Sequence, residues 1–204
     1  MTDEEIFDAF AKTGALLEGH FELRSKLHSD RYFQCANVLK WPRVAGMLAD
    51  ELVARMKAAG DCDISGVEGV VSPAVGGILV GHEVARALGT QCVFAEKTAI
   101  PGELDATLKP VTKLEMRRFA LKKGAKYIVA EDVVTKGGRV QETIDLVEAA
   151  GAGVAAVLVL VDRSGGTVRF SCPMHSLVKM TPVTWPPEEC PLCKAGSKVV
   201  HPGS

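Results

Sequence analysis

The chain has 204 residues, 47% of them apolar and 24% charged, an ordinary soluble globular composition that excludes a disordered or fibrous chain. Twenty-four Lys and Arg against twenty-five Asp and Glu leave a formal charge of -1. No global field therefore gathers nucleic acid or an anionic membrane, and an anionic ligand has to be met locally. A domain of this size buries roughly 70% of its extended surface and needs no disulfide framework, so the six cysteines require another reading. The opening Met1-Thr2-Asp3-Glu4-Glu5 is acidic where a secretory leader is basic, and no apolar run reaches the length of a membrane span. The expectation is a cytoplasmic chain with reduced thiols.

Thr2 with Glu5 forms a capping-box pattern ahead of Ile6, Phe7 and Phe10, which predicts a short amphipathic helix. Residues 19–25 and 31–35 alternate weakly across a polar turn and predict two short strands. Pro42 suits a first helical turn, and Val44, Ala45, Leu48, Ala49, Leu52, Val53 and Met56 keep helical spacing up to Gly60. A rhythm of strand, turn and helix follows: a strand at 69–71 and a helix at 78–88, a strand at 92–95, then a strand at 127–130 and a helix from Gly138 to Ala150. Residues 153–161 are almost wholly apolar and β-branched, the pattern of a strand covered on both faces of a parallel sheet. The predicted class is α/β, a mostly parallel sheet flanked by helices, with ligands outside the strand ends after Val71, Ala95, Ala130 and Val161. From Glu96 to about Lys113 no periodicity is evident, and its place after a strand end favours a lid over a disordered segment. The proline-rich stretch 181–204 reads as an appendage with little regular structure, dividing the chain into 1–180 and 181–204.

The strongest chemical signal lies at residues 127–143. A buried strand ends in Glu131 and Asp132, then Thr135, Lys136, Gly137, Gly138 and Arg139 lead into a helix. Open amides at a helix N-terminus, with glycines that let backbone approach closely, suit a phosphate. Two carboxylates beside such a cradle repel it unless they face hydroxyls or a cation, which suits a ribose diol or a bridging metal ion. The bland alternative is a plain strand-turn-helix in which Asp132 caps the helix. Neither G-x-x-x-x-G-K-[ST] nor G-x-G-x-x-G is present in a nucleotide-binding context.

This segment resembles the phosphoribosyl pyrophosphate (PRPP) motif of the type I phosphoribosyltransferases. The resemblance implies that Glu131 and Asp132 address the ribose hydroxyls, and that the stretch through Val133, Val134, Thr135, Lys136, Gly137, Gly138 and Arg139 binds PRPP, the loop from Thr135 onward holding the 5-phosphate. Gly14 to Phe33, with Gly19-His20-Phe21-Glu22-Leu23-Arg24-Ser25 and the pair Tyr32-Phe33, is similar to the opening of the orotate phosphoribosyltransferases, and the likeness runs to Val161-Asp162-Arg163. It implies an N-terminal hood, Tyr32 and Phe33 flanking the base, Arg24 near the substrates, and Thr135 with Arg163 holding orotate. A guanidinium at a strand end suits the fork that a planar carboxylated pyrimidine needs, although ion pairing for Arg163 and core packing for the aromatic pair stand beside that reading. Residues 72–78 resemble the family's pyrophosphate turn, with Val75 and Gly76 where many members have Tyr-Lys, so contacts there fall to the backbone. Lys97 matches a family loop cation and Arg117 or Arg118 stands in for others, and no His lies between Glu96 and Arg118. The likeness further implies Mg²⁺ with PRPP, Lys97 and Asp132 as catalytic groups, and a homodimer. A purine-type enzyme and a PRPP-sensing regulator without turnover are the alternatives.

Cys172-x₂-His175 and Cys190-x₂-Cys193 have knuckle spacing that would close a Cys₃His structural zinc site. Incidental tail thiols and a packed His175 are the competing reading. Cys35, Cys62 and Cys92 read as small buried residues.

Overall fold

The computed structural model describes residues 1–23, 25–181 and 183–202. The first helix, α1 (Asp3–Lys12), starts at the capping box: Glu5 N donates to Thr2 Oγ1 at 3.2 Å and Thr2 N donates to Glu5 Oε2 at 2.8 Å. Ile6 and Phe10 form its buried stripe. The short α2 (Ala36–Leu39) leads into α3 (Pro42–Ala59), which opens on proline and stops at Gly60 in the left-handed region, φ 64°.

The main sheet contains β3 (Val67–Pro73), β4 (Gln91–Leu104), β5 (Pro110–Glu115), β6 (Lys126–Val134), β7 (Gly153–Asp162) and β8 (Met174–Lys179). Their order is β5-β4-β3-β6-β7-β8, parallel except for β5. Alternate side chains of the central strands feed two cores. Val70, Ile128, Ala130, Leu158 and Leu160 pack with α3 and with Val80 and Val84 of α4 (Gly76–Leu88). Val129, Val157 and Val159 pack with Val140 and Ile144 of α5 (Gly138–Ala149). The helices therefore cover both faces, as the uninterrupted apolar run of β7 predicts.

A second, antiparallel sheet has the order β1-β2-β9, from β1 (Leu16–Glu22), β2 (His28–Phe33) and β9 (Thr184–Trp185). It is the expected N-terminal hood, but one strand comes from the tail. The tail is more ordered than its composition suggests: it also carries the single-turn helix α6 (Pro191–Lys194), and Val200 pairs along β1, its N–H donating to His20 O at 2.8 Å.

The segment expected as a lid is a β-hairpin. β4 continues to Leu104 and β5 returns with Lys97 opposite Leu114 and Thr98 opposite Lys113. Asp105 Oδ1 closes the turn, accepting from Thr107 N at 2.8 Å and Lys109 N at 3.0 Å. Most of the hairpin is exposed on both faces, so the apolar alternation that marks a half-buried strand is missing.

Helix α4 lies so close to β3 that a Cβ on Gly81 would overlap Ser72 Oγ and meet Ser72 Cβ at 3.0 Å and Cys92 Sγ at 3.2 Å. Gly81→Ala is expected to cost about 1–3 kcal/mol through overpacking, a fall of roughly 2–12 °C in Tm for a chain of this size. Calorimetry checks this, and an unchanged Tm would contradict the close helix–strand contact.

Candidate active site

Strand β6 is buried between β3 and β7, and its last turns deliver Glu131 and Asp132 to the carboxyl edge of the sheet. Glu131 is 7% exposed. Its Oε1 accepts from Asp132 N at 3.1 Å, and Asp132 Oδ1 accepts from Val133 N at 2.8 Å. The basic side chain bearing on Glu131, Arg139, is itself paired with Glu142 at 3.0 Å. Burial, reinforced by the neighbouring Asp132 charge, pushes Glu131 up to about 8, and burial raises Asp132 as well. Hydroxyl donors or a cation arriving from outside would relieve this pair.

The turn before α4 presses backbone against the same carboxylates. A Cβ on Gly76 would stand 3.2 Å from Asp132 Oδ2, and one on Gly77 would stand 3.0 Å from Glu131 Oε1 and 3.1 Å from Ala130 O. Side chains are thereby kept out, while Val75 points outward and is 82% exposed. The Ala74–Val75 peptide is cis, and no side chain caps α4.

Beyond β6, Gly137 has φ +79°, and a Cβ there would reach within 2.7 Å of Val168 Cγ1. Only glycine satisfies both demands. Thr135, Lys136, Gly137, Gly138 and Gln141 line a cleft of about 580 Å³ with Thr167, Val168, Arg169 and Phe170. Gln141 and Arg169 carry no sequence motif; Arg169 was reachable only through the rule that the loop after β7 opens at the ligand edge. Val134 is buried in the α5-side core and Val133 packs against the core on the other face of the sheet, so the side chains of both turn into the protein. Arg139 is likewise held by Glu142.

Thr135 and Lys136 also line an adjoining cleft of about 490 Å³ with Leu23, Ser25, Tyr32 and Arg163. Arg163 follows β7 and its N–H donates to Val134 O at 2.8 Å, which fixes it beside the end of β6. Its guanidinium is desolvated, which lowers its pKa, and its buried Nε has no hydrogen-bond partner among the described residues. The surface ion-pair reading of Arg163 therefore fails. Tyr32 lines the cleft as expected, but Phe33 does not: strand alternation turns it into the core, 5% exposed and edge-on to Phe10 at 5.8 Å. Arg24 lies outside the described residues.

On the hairpin, Lys97 is exposed, whereas Arg118 is engaged by Glu96 at 2.9 and 3.3 Å. The four tail ligands do not converge. Cys190 and Cys193 meet His20 and His28 of the hood, while His175 lies with Asp61 and Cys62, its Nε2 3.1 Å from Asp61 Oδ1. Cys172 joins neither group. The cause is topological: His175 belongs to β8 at the sheet edge, and the chain then crosses to the hood before reaching Cys190.

The Phosphoribosyl transferase domain model matches residues 60–186. The chain is 45% identical over 205 residues to the orotate phosphoribosyltransferase of Heliobacterium modesticaldum, covering 100% of this chain and 99% of that protein. It is 43% identical over 204 residues to that of Chlorobaculum parvum, covering 100% and 97%. The crystal structure of orotate phosphoribosyltransferase from Aeropyrum pernix aligns with a TM-score of 0.65 at 22% identity, over 85% of this chain and 92% of that one. Adenine phosphoribosyltransferase from Thermoanaerobacter pseudethanolicus aligns with a TM-score of 0.62 at 21% identity, over 88% and 100%. No helix among the described residues is long and apolar enough to cross a membrane. The structural neighbours share the fold across different bases, and the full-length identities narrow it: the chain belongs to the phosphoribosyltransferases and, within them, to the orotate phosphoribosyltransferase family.

Proposed function

We propose that the chain transfers the 5-phosphoribosyl group of PRPP to orotate, giving orotidine 5′-monophosphate and pyrophosphate, in the cytoplasm and as a homodimer. The observation that carries this reading is Arg163. A desolvated guanidinium whose Nε has no hydrogen-bond partner among the described residues lines a cleft continuous with the phosphate loop. It suits a planar base bearing a carboxylate, which a purine lacks, so a purine would leave the guanidinium desolvated and unpaired.

In this reading Tyr32 offers a ring beside the base and Thr135 a hydroxyl where the two clefts join. Glu131 and Asp132 accept hydrogen bonds from the ribose diol, and the backbone of residues 135–139 holds the 5-phosphate. The turn at Gly76 and Gly77 takes pyrophosphate through backbone amides. Orotate arrives as an anion whose ring nitrogen is already nucleophilic, so the protein aligns it with the anomeric carbon and stabilises an oxocarbenium-like transition state, with no covalent intermediate. A carboxylate pair without a cation of its own also fits Mg²⁺, which Glu131 and Asp132 would help to hold with PRPP and whose charge would help to neutralise the leaving pyrophosphate. Lys97, exposed on the hairpin, is the loop cation of this reading, and in a homodimer it serves the facing subunit's pyrophosphate. Arg118, tied to Glu96, is placed second.

The direct test is consumption of orotate, uracil, adenine and hypoxanthine in parallel with PRPP and Mg²⁺. Turnover of orotate alone is expected; turnover of a purine, or PRPP binding without turnover, would overturn the assignment. Arg163→Ala is expected to remove about 1.5–3 kcal/mol of charge-assisted hydrogen bonding, a rise of roughly 10- to 150-fold in KM for orotate, with KM for PRPP little changed. Equal losses for both substrates would count against its role.

Glu131 also makes stability depend on pH. Its folded pKa of about 8 exceeds the ordinary 4.5, so between those values the folded chain keeps a proton that the unfolded chain releases, and stability falls as pH rises. Glu131→Gln is expected to flatten the dependence of Tm on pH in that window. A slope equal to the parent's would show that Glu131 is not the group responsible.

A further inference from the structure

Four potential metal ligands meet where the tail crosses the hood, outside the substrate clefts. His20 lies on β1, His28 opens β2, and Cys190 and Cys193 bracket the single turn α6. One ligand atom from each falls within 4.8 Å of all the others. His20 Nε2 is 2.9 Å from His28 Nδ1, 3.5 Å from Cys190 Sγ and 3.6 Å from Cys193 Sγ, and Cys193 Sγ is 3.2 Å from His28 Nδ1. His20, His28 and Cys190 are 3%, 4% and 0% exposed, so bulk water does not reach them.

Hydrogen bonding among these groups alone does not account for the arrangement. His20 Nδ1 lies 3.0 Å from Ser197 O. A carbonyl only accepts, so Nδ1 carries the hydrogen and Nε2 presents a single lone pair inward. Three groups, His28 Nδ1, Cys190 Sγ and Cys193 Sγ, converge on that one lone pair. A cation between them would accept a lone pair from all four at once. With bond lengths of about 2.3 Å to sulfur and 2.0–2.1 Å to nitrogen, a tetrahedral zinc site has nitrogen–sulfur edges of about 3.5–3.6 Å and a nitrogen–nitrogen edge of about 3.3 Å. The two nitrogen–sulfur edges from His20 fit, and the His28–Cys193 edge and the spacing of the two imidazoles each need to lengthen by only a few tenths of an ångström. The Ser197 carbonyl is the outer partner that fixes tautomer and orientation in histidine–zinc sites. Two soft sulfurs with two imidazoles and no carboxylate select zinc over magnesium or calcium.

We propose that His20, His28, Cys190 and Cys193 bind one structural zinc ion that clamps the tail to the hood. The clamp also has a positioning role. Both histidines flank the connection that supplies Leu23 and Ser25 to the base cleft, so the ion holds the roots of that wall. Among the described residues the other links between tail and hood are Val200 along β1, the short β2–β9 pairing, Ser29 Oγ donating to Val183 O at 2.9 Å, and His201 Nδ1 3.6 Å from Glu22 Oε1.

The test begins with the native full-length chain. Elemental analysis after extensive dialysis is expected to find about one zinc per chain, as a closed four-ligand site retains its ion. Replacement by Co²⁺ is expected to give tetrahedral ligand-field bands with thiolate-to-metal charge transfer. Cys190→Ser with Cys193→Ser is expected to abolish both signals, and Cys62→Ser with Cys172→Ser to preserve them. Absence of zinc together with absence of the Co²⁺ spectrum, a Cys190–Cys193 disulfide in the native chain, or metal retained by the Cys190/Cys193 variant would each overturn the site. The positioning role rests on the proposed function and is read separately: the metal-free double variant is expected to raise KM for orotate more than KM for PRPP. An equal change in the two would overturn that role while the metal analysis decides the site.

Discussion

Two adjacent carboxylates at the end of a strand otherwise shut away from water are tolerated only where donors can be brought to them. Glu131 and Asp132 take one backbone N–H each, from Asp132 and Val133, and no more is offered from within the strand. Much of the surrounding structure follows from that constraint. The turn before α4 approaches as bare glycine backbone, since a side chain at Gly76 or Gly77 would crowd the acids. Arg139, which could have neutralised Glu131, is held off by Glu142. The pair thus stays available for a ligand that brings hydroxyls or a cation.

Strand register then sets the opposite charge nearby. β6 and β7 run in parallel with Val134 beside Asp162, so the residue after each strand emerges at the same edge: Thr135 at the phosphate loop and Arg163 in the neighbouring cleft. The loop after β7 returns Val168 against Gly137, which leaves no room for a side chain on this left-handed residue. Acidic pair, phosphate loop and desolvated guanidinium are thus products of one sheet edge, with the hood supplying the outer wall of the base cleft.

What the sequence made legible was local. The Thr2–Glu5 box, Pro42 with Gly60, the β-branched run of β7 and the Glu-Asp-x-x-Thr-x-Gly-Gly sequence each state their structure within a few residues, and each appears in the fold. The hairpin β4–β5 was not legible, because its pairing leaves both faces wet and so imposes no apolar period. Phe33 shows how an adjacent aromatic pair misleads: neighbours on a strand face opposite ways, and only Tyr32 reaches the cleft. The tail cysteines were half legible. Cys190-x₂-Cys193 announces a ligand pair, but nothing local says that its partners are histidines of the first hairpin rather than the nearer Cys172 and His175.

That long-range meeting has a consequence for the order in which the molecule matures. Cys190 and His20 are 170 positions apart, whereas the helices and the β6–α5–β7 unit close over short stretches. Long loops close at greater entropic cost and form slowly, so the sheet edge with its acids and phosphate loop can assemble while the hood is still unlinked to the tail. The anion-binding half and the hood's own hairpin, held to the core through Phe33, close over short stretches of chain, and the link from hood to tail is the contact that waits for residues near Cys190 to be made and folded back.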